Sequence, residues 1–444
     1  MMRYDKDIVA DTQVVVLMGG LGTRLGLKDC PKAIADIEGI PFFNYQLQLL
    51  KRWRFHKFLF LVGYMADSIE NYYGDGSNFQ VEIQYSYDGS KQLGTGGALW
   101  NARNKLEDEF LLIYGDSFMD IDYQETVYRY WSAKRTGKKG IMTILKNEDS
   151  YDRSNVVYKE GRILLYDKVN KVKDMLYIDY GVSMLSKEIL DEDMSRIEFD
   201  LADVLRKLSK SQELGAQVVT KRFYEIGTPR TKMEFCEYVK KRFGADRKAV
   251  FLDRDGVINE LVYNEDTEWL DSPFSEKEFI YRDDVIDILK KIQQQGYYIF
   301  IVSNQPAAAK GKVELEKIYN LNLWIIEDLR SKGISVEFLN VCPHHPVGSP
   351  KSKYRFLIRE CNCRKPKEGL ITDLMKVYQI DKSCTYMVGD SYTDIIAGKK
   401  SGIKTVFLGE QKCDLCKKWG DYKPDRIIKN IKELENILEE DGYV

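Results

Sequence analysis

Val250-Phe251-Leu252-Asp253-Arg254-Asp255 is an apolar run that delivers two aspartates, one residue apart, at its end, and Val388-Gly389-Asp390-Ser391 with Asp394 follows far downstream. An aspartate at the carboxyl end of a buried parallel strand lies in the crevice where α/β sheets do their chemistry. A second carboxylate close by completes the oxygen ligands that Mg²⁺ needs for work on phosphates. Taken singly, each aspartate after an apolar run could instead open a helix as its N-cap. Two further segments weigh against that simpler reading. Ser303-Asn304-Gln305 ends the apolar run Tyr298 to Val302, and Arg364-Lys365-Pro366 places a cation pair between it and Asp390.

In that order, these four segments resemble the motifs of the haloacid dehalogenase phosphatases. The resemblance implies roles residue by residue. Asp253 would be the nucleophile that takes the phosphoryl group, and Asp255 the acid/base for the leaving alcohol and then for water. Ser303, Asn304 and Gln305 would face the phosphate, with Arg364 on the substrate. Lys365 would neutralise the covalent intermediate, steadied by Asp394, and Asp253, Asp255 and Asp390 would share Mg²⁺.

Between these motifs stand Cys342-Pro343-His344-His345-Pro346 and Cys361-Asn362-Cys363. Cys-x-His and Cys-x-Cys pairs across a loop supply the four ligands of a closed zinc site, Cys342, His344, Cys361 and Cys363. Reduced, buried cysteines without a metal are the plainer alternative. Only three histidines occur in 444 residues, however, and two of them are adjacent here. Such a zinc would be structural, because Lys365 follows the last thiolate by two residues and the tied loop would place it. This pattern resembles the capless phosphatase branch that includes heptose bisphosphate 7-phosphatases and histidinol-phosphate phosphatases.

The first half opens with the apolar run Val14 to Met18 leading into Gly19-Gly20-Leu21-Gly22-Thr23-Arg24, followed by Pro31-Lys32. Glycines at a strand end let backbone amides approach a triphosphate, and Arg24 and Lys32 add fixed positive charge. Neither the dinucleotide fingerprint nor the Walker spacing is met. With the Arg and the Pro-Lys at these distances, the segment resembles the signature of the sugar-1-phosphate nucleotidyltransferases. The resemblance extends to Gly94-Thr95-Gly96 for the nucleobase and ribose, to Asp116 after Tyr114-Gly115 as a Mg²⁺ carboxylate, to Lys168 on the sugar phosphate and to Gly181 in a sugar-facing turn. In Tyr224-Glu225-Ile226-Gly227-Thr228-Pro229 the second Mg²⁺ carboxylate would be Glu225, where the family usually shows aspartate. Lys168 and Glu225 could also be solvated surface charges.

The chain suits two domains, which we place at 1–245 and 246–444, each long enough to bury a core. Hydrophobic residues make up 44%, and 67 basic against 69 acidic residues leave a net charge of −2. That balance argues against general nucleic-acid or membrane affinity. No apolar stretch approaches a membrane span, the first residues are too polar for a signal peptide, and the eight cysteines fit reduced thiols, so a cytoplasmic protein is expected. The lone pair Cys413 and Cys416 has no evident partner pair, and nothing in the sequence sets the oligomeric state. Apolar runs alternate with helical patterns, so both halves should be α/β. The resemblances imply a mostly parallel, Rossmann-like mixed sheet in the first and a Rossmann-like fold without a large cap in the second.

Together the halves imply consecutive steps on one sugar. A bisphosphate loses its 7-phosphate, and the remaining heptose 1-phosphate then takes a nucleotidyl group from an NTP, GTP by resemblance. Another sugar or NTP, histidinol phosphate as the phosphatase substrate, or a sugar-nucleotide-sensing first half are the alternatives.

Overall fold

The computed structural model describes residues 7–19, 30–89, 93–190, 198–243, 247–264, 269–410 and 421–440. Gly20, Gly22, Thr23, Arg24, the expected junction near residue 245 and Cys413 and Cys416 lie outside them. The chain divides into two compact units, one covering residues 6–241 and the other residues 242–444.

The first unit is built on a nine-stranded mixed sheet. Its centre is parallel: Glu82–Tyr87, Lys57–Val62, Gln13–Leu17 and Glu109–Tyr114 lie side by side. Numbered as they occur in the chain, these four stand in the order 3-2-1-4. Val14, Val15 and Val16 are fully buried, as expected of a strand covered on both faces. Beyond Glu109–Tyr114 the sheet turns antiparallel through Tyr177–Ser186, which also carries Gly140–Lys146. That flank makes the sheet more evenly mixed than its apolar runs suggest, because antiparallel and parallel strands share the same buried side chains.

The second unit is a six-stranded, wholly parallel sheet in the order Val336–Cys342, Tyr298–Asn304, Arg247–Leu252, Ile380–Gly389, Lys404–Leu408, Arg426–Ile428. Counted along the chain this is 3-2-1-4-5-6. The order reverses between the first and fourth strands, and a crevice opens there because the connections leave to opposite faces. The first strand runs directly into Asp253 and the fourth into Asp390. Among the described residues, a small hairpin, Val262–Asn264 with Trp269–Asp271, follows the first strand.

Candidate active sites and metal centre

In the second unit the Asp253 amide donates to the Val388 carbonyl at 3.0 Å, which sets the two aspartate-bearing strand ends side by side. Gly256 follows with φ +83°, and a Cβ there would come within 2.0 Å of an Asp390 carboxylate oxygen. Only glycine lets the turn after Asp255 pass so close. Carboxylate oxygens of Asp253, Asp390 and Asp394 lie within 4.8 Å of one another. The cation among them is Lys365, whose buried ammonium is 2.8 Å from Asp253 and 2.6 Å from Asp394 and donates to the Val302 carbonyl at 2.8 Å. Losing one partner of such a buried cluster costs about 3–5 kcal/mol, because the others keep their charge without water.

One lysine against three carboxylates leaves an excess of negative charge. Burial first, then the neighbouring carboxylates, push Asp253 up to about 7 against the pull of Lys365, and push Asp390 up to about 8. Burial would lower the Lys365 ammonium, but Asp253 and Asp394 overcome it and hold it raised. A divalent cation with a preference for oxygen fits this set by charge and donor type.

Asp255 stands apart from that cluster. Its carboxylate accepts from Arg254 Nε at 3.1 Å, Ser272 Oγ at 2.7 Å, Asn259 Nδ2 at 3.0 Å and Gln305 Nε2 at 2.5 Å. Burial would raise it, yet the Arg254 guanidinium and these hydrogen bonds hold it below the ordinary aspartate value. The structure gives the Asp255 side chain an arginine and three neutral donors, and it brings Asp394 to the carboxylate cluster. Sequence reasoning missed Arg254, Asn259 and Ser272. The one available signal was Arg254 itself, a charge wedged between two aspartates at the end of an apolar run.

Ser303 and Asn304 end the second strand. Gln305 Nε2 also donates to Ser303 Oγ at 3.0 Å. Asn304 grips the backbone of Lys365 from both sides, donating to its carbonyl and accepting from its amide, each at 3.0 Å. Arg364 donates to the His344 carbonyl at 3.2 Å. Burial and then the nearby Lys312 and Arg364 lower the Lys310 ammonium, marking a local crowd of positive charge. Lys312 pairs with Asp271, the neighbour of Ser272, so this crowd stands on the Asp255 side of the pocket.

Cys342 is the last residue of the third strand and is in register with Asn304. Its Sγ is 3.5 Å from His344 Nδ1, 3.6 Å from Cys361 Sγ and 3.3 Å from Cys363 Sγ; Cys363 is 3.3 Å from His344 Nδ1 and 3.4 Å from Cys361. A tetrahedral zinc with sulfur at about 2.3 Å and nitrogen at about 2.0 Å sets edges of roughly 3.5–3.8 Å, close to what these side chains already form. Hydrogen bonds from Cys342 and Cys363 pull the Cys361 thiol down, while burial pushes that of Cys342 up. A thiolate is thus favoured in the cluster, as metal ligation requires. His345 points elsewhere, with its ring on the Val347 backbone.

In the first unit, Gly19 follows the first strand and Asp116 follows the fourth, again beside the 3-2-1-4 reversal. Lys32 Nζ meets Asp116 Oδ2 at 2.8 Å. Glu225 is exposed, but its short strand pairs with Ser117–Phe118, Glu225 opposite Ser117, and the Ile226 amide donates to the Asp116 carbonyl at 3.1 Å. The two expected Mg²⁺ carboxylates therefore sit on adjoining backbone. Lys168 is exposed with its ammonium 5.9 Å from the ring centre of Tyr114, two residues before Asp116. The Gly181 amide is anchored on Asp179 Oδ1 at 3.0 Å.

Asp116, Lys32, Gly19, Gly94 and Thr95 line one cleft of about 340 Å³. The glycines of 94–97 have a further duty there. Gly94 has φ +71° and a Cβ would lie 2.6 Å from the Phe199 carbonyl oxygen. That carbonyl takes the amides of Gly96 and Gly97, and Thr95 Oγ1 donates to Asp200 at 2.8 Å. These glycines therefore pack the start of helix Gly94–Asn101 onto residues 199–201 as well as keeping the cleft floor flat.

Both halves of the chain are similar to known proteins. Residues 13–234 match the nucleotidyl transferase family and residues 362–434 the HAD-hydrolase-like family. The chain is 30% identical over 197 residues to D-glycero-beta-D-manno-heptose-1,7-bisphosphate 7-phosphatase of Pasteurella multocida, covering 43% of this chain and 97% of that protein. It is 38% identical over 162 residues to D-glycero-alpha-D-manno-heptose-1,7-bisphosphate 7-phosphatase of Photorhabdus laumondii, covering 36% and 81%. Among solved structures, HddC from Yersinia pseudotuberculosis complexed with GMP-PN is similar at 27% identity and TM-score 0.43, covering 52% of this chain and all of that one.

Proposed function

From a chain that belongs to the nucleotidyl transferases over residues 13–234 and, through a 197-residue match, to the heptose-bisphosphate 7-phosphatases, we propose two consecutive reactions on one sugar. D-glycero-D-manno-heptose 1,7-bisphosphate loses its 7-phosphate in the second unit, and the resulting 1-phosphate is joined to GMP from GTP in the first, with release of pyrophosphate. The observation that carries this reading is the pair of strand-order reversals, each with an aspartate after its fourth strand and a lysine paired with a carboxylate of the site. The alpha-anomer name of the Photorhabdus relative favours the α-sugar and, by resemblance, guanine.

In the second unit Asp253 attacks the phosphorus, with Lys365 and the amides and hydroxyls at the second strand's end holding the phosphoryl oxygens. Asp255 hands a proton to the departing sugar oxygen and later takes one from water. For the first role it must be protonated, so the grip of Arg254 has to loosen as the substrate's own charge enters. Mg²⁺ held by Asp253 and Asp390 would offset the phosphate charge. Zinc on Cys342, His344, Cys361 and Cys363 would fix the loop that carries Lys365. In the first unit there is no nucleophilic side chain to supply. Lys32 would contact the triphosphate, and Asp116 and Glu225 would hold a Mg²⁺ that would neutralise its charge, while the sugar-phosphate oxygen bonds to the α-phosphorus in line as pyrophosphate departs.

The test is to feed the full-length protein the heptose 1,7-bisphosphate with each of GTP, ATP, UTP, CTP and dTTP in turn, with Mg²⁺ present, and to follow products by mass. GDP-heptose with GTP and far less product with the others is expected. A nucleotidylated sugar still bearing its 7-phosphate, or no NTP consumption at all, overturns the two-step reading.

A further inference from the structure

The Asp255 carboxylate has no lone pair to spare. Its Oδ1 accepts from Arg254 Nε at 3.1 Å, from Arg254 Nη2 at 3.0 Å and from Asn259 Nδ2 at 3.0 Å. Its Oδ2 accepts from Ser272 Oγ at 2.7 Å and from Gln305 Nε2 at 2.5 Å. An ionised carboxylate offers about four lone-pair sites, so this one is filled. Yet a group that hands a proton to a departing alcohol must come within hydrogen-bond reach of it. One of these contacts has to give way to the substrate.

Both chemistry and anchoring single out Ser272. Arg254, Asn259 and Gln305 meet Asp255 through N–H groups, which donate and cannot accept, so none of them can take a hydrogen bond from Asp255 once it carries a proton. A hydroxyl does either by turning its O–H. The N–H groups are also held from behind in a buried setting: Arg254 Nη1 donates to Asn322 at 3.0 Å, Asn259 Nδ2 to the Glu260 carbonyl at 2.8 Å and Gln305 Nε2 to Ser303 at 3.0 Å. Ser272 arrives from outside that setting. It follows the hairpin strand Trp269–Asp271, in which Trp269 is 74% and Leu270 61% exposed. A two-stranded hairpin is marginal by itself in water, and this one is fastened at its base by the Ser272 hydrogen bond and by the Asp271–Lys312 ion pair. The hairpin thus brings the acid its one reversible partner, on Oδ2.

We propose that Ser272 is a positioning residue for phosphate release, its hydroxyl keeping Oδ2 of Asp255 aimed at the departing sugar oxygen. This rests on the reading of the second unit as a phosphatase with Asp255 as its acid. As Asp253 bonds to phosphorus, the bond from phosphorus to the sugar 7-oxygen breaks, its electron pair stays on that oxygen and the Asp255 proton moves there. Ser272 then donates to the carboxylate left behind, which is the arrangement seen. Without Ser272, Arg254 turns the carboxylate towards itself, since Nη2 already lies 3.0 Å from Oδ1 and 3.3 Å from Oδ2.

The assay compares kcat/KM for two phosphate esters, with the full chain and Mg²⁺: heptose 1,7-bisphosphate, whose alkoxide needs a proton to leave, and p-nitrophenyl phosphate, whose phenolate does not. Ser272→Ala should lower the value for the bisphosphate by about 10- to 100-fold, a share of the roughly 100- to 10,000-fold that a placed acid supplies, and lower that for the aryl ester far less. Ser272→Thr, which keeps the hydroxyl, should retain the wild-type ratio of the two. Where the aryl ester turns over too slowly, Ser272→Ala is added to Asp255→Asn, and it should cost nothing further on the bisphosphate. Equal loss on both esters, no loss on either, or a full added loss in the Asp255→Asn background means that Ser272 does not act through the acid, although the phosphatase reading stands. If wild type leaves the bisphosphate intact, or if Asp255→Asn matches wild type on the bisphosphate, the reading of Asp255 falls and this inference with it.

Discussion

Asp390 and Asp116 each follow the fourth parallel strand of a 3-2-1-4 arrangement, one in each half of the chain, and their surroundings differ. Around Asp390 the machinery is enclosed: the Lys365 side chain is 1% exposed, that of Asp394 0% and that of Asp253 12%. Around Asp116 it is open, with Asp116 at 28% and Lys32 at 17% and a cleft between them and Asp88. The chemistry assigned to each half explains the contrast. A covalent step on a side chain gains from a dry, crowded pocket that fixes the nucleophile and its counter-charge before substrate arrives. A displacement between two bound substrates needs room for both, and its charges can come in with them. The same strand order thus sets where an aspartate stands, while the connections decide whether water reaches it.

The sharpest way to break the comparison is to disable one half and assay the other. Asp253→Asn should cut phosphate release by roughly a thousandfold or more, as expected when a nucleophile is removed, and leave nucleotidyl transfer to supplied heptose 1-phosphate intact. Asp116→Ala should lower nucleotidyl transfer by roughly a hundredfold or more and let heptose 1-phosphate accumulate from the bisphosphate. Cross-inhibition by either change would mean that the halves are not independent enzymes.

The metal loop offers a smaller effect. Elemental analysis should find about one zinc per chain in wild type and little in Cys361→Ser. With the loop loosened, phosphate release should fall by about 10-fold or more, the scale seen when a group orienting a site is lost, and the second unit should melt roughly 5–10 °C lower. A zinc-loaded, fully active variant removes the assignment.

A gentler probe compares how the two sites answer pH. Burial and the neighbouring carboxylates push Asp253 up to about 7 and Asp390 up to about 8, so the folded state holds protons that the unfolded chain releases. Their favourable contribution is complete below the unfolded pKa and is lost as pH climbs through the folded values. Melting followed without added Mg²⁺ or chelator should therefore show the second unit weakening from pH 5 to 8.5. Mg²⁺ should restore more stability at pH 8.5 than at pH 6, since it competes with protons for the same oxygens. Equal stabilisation at both pH values would place the metal elsewhere.

Much of this was legible because the relevant signals are local. A buried parallel strand is a continuous apolar run, and Asp253, Asp390 and Asp116 stand directly after such runs. The meeting of Cys342, His344, Cys361 and Cys363 was readable from spacing, since two short pairs across a loop can close on one point. What escaped depends on contacts between distant segments. Arg254 acquires its meaning from Asn322, 3.0 Å away across the fold. Gly94 and Gly96 read as ligand-facing glycines, yet the Phe199 carbonyl and ring are what exclude a side chain there. Asp88 follows a strand of alternating exposure and precedes a glycine, so by sequence it looks like an ordinary turn residue. Only the sheet order brings it over Gly19 and Gly63.

Asn304 grips Lys365 at both its amide and its carbonyl, so the strand end beneath the phosphate and the loop closed by Cys361 and Cys363 move as one body. On the proposed zinc assignment, a cell starved of zinc would run the hydrolytic step about 10-fold slower while the nucleotidyl half kept its fold. The bisphosphate would pile up ahead of the block. Starvation for the nucleotide would instead strand the monophosphate, so the ratio of the two sugars would report which supply had failed.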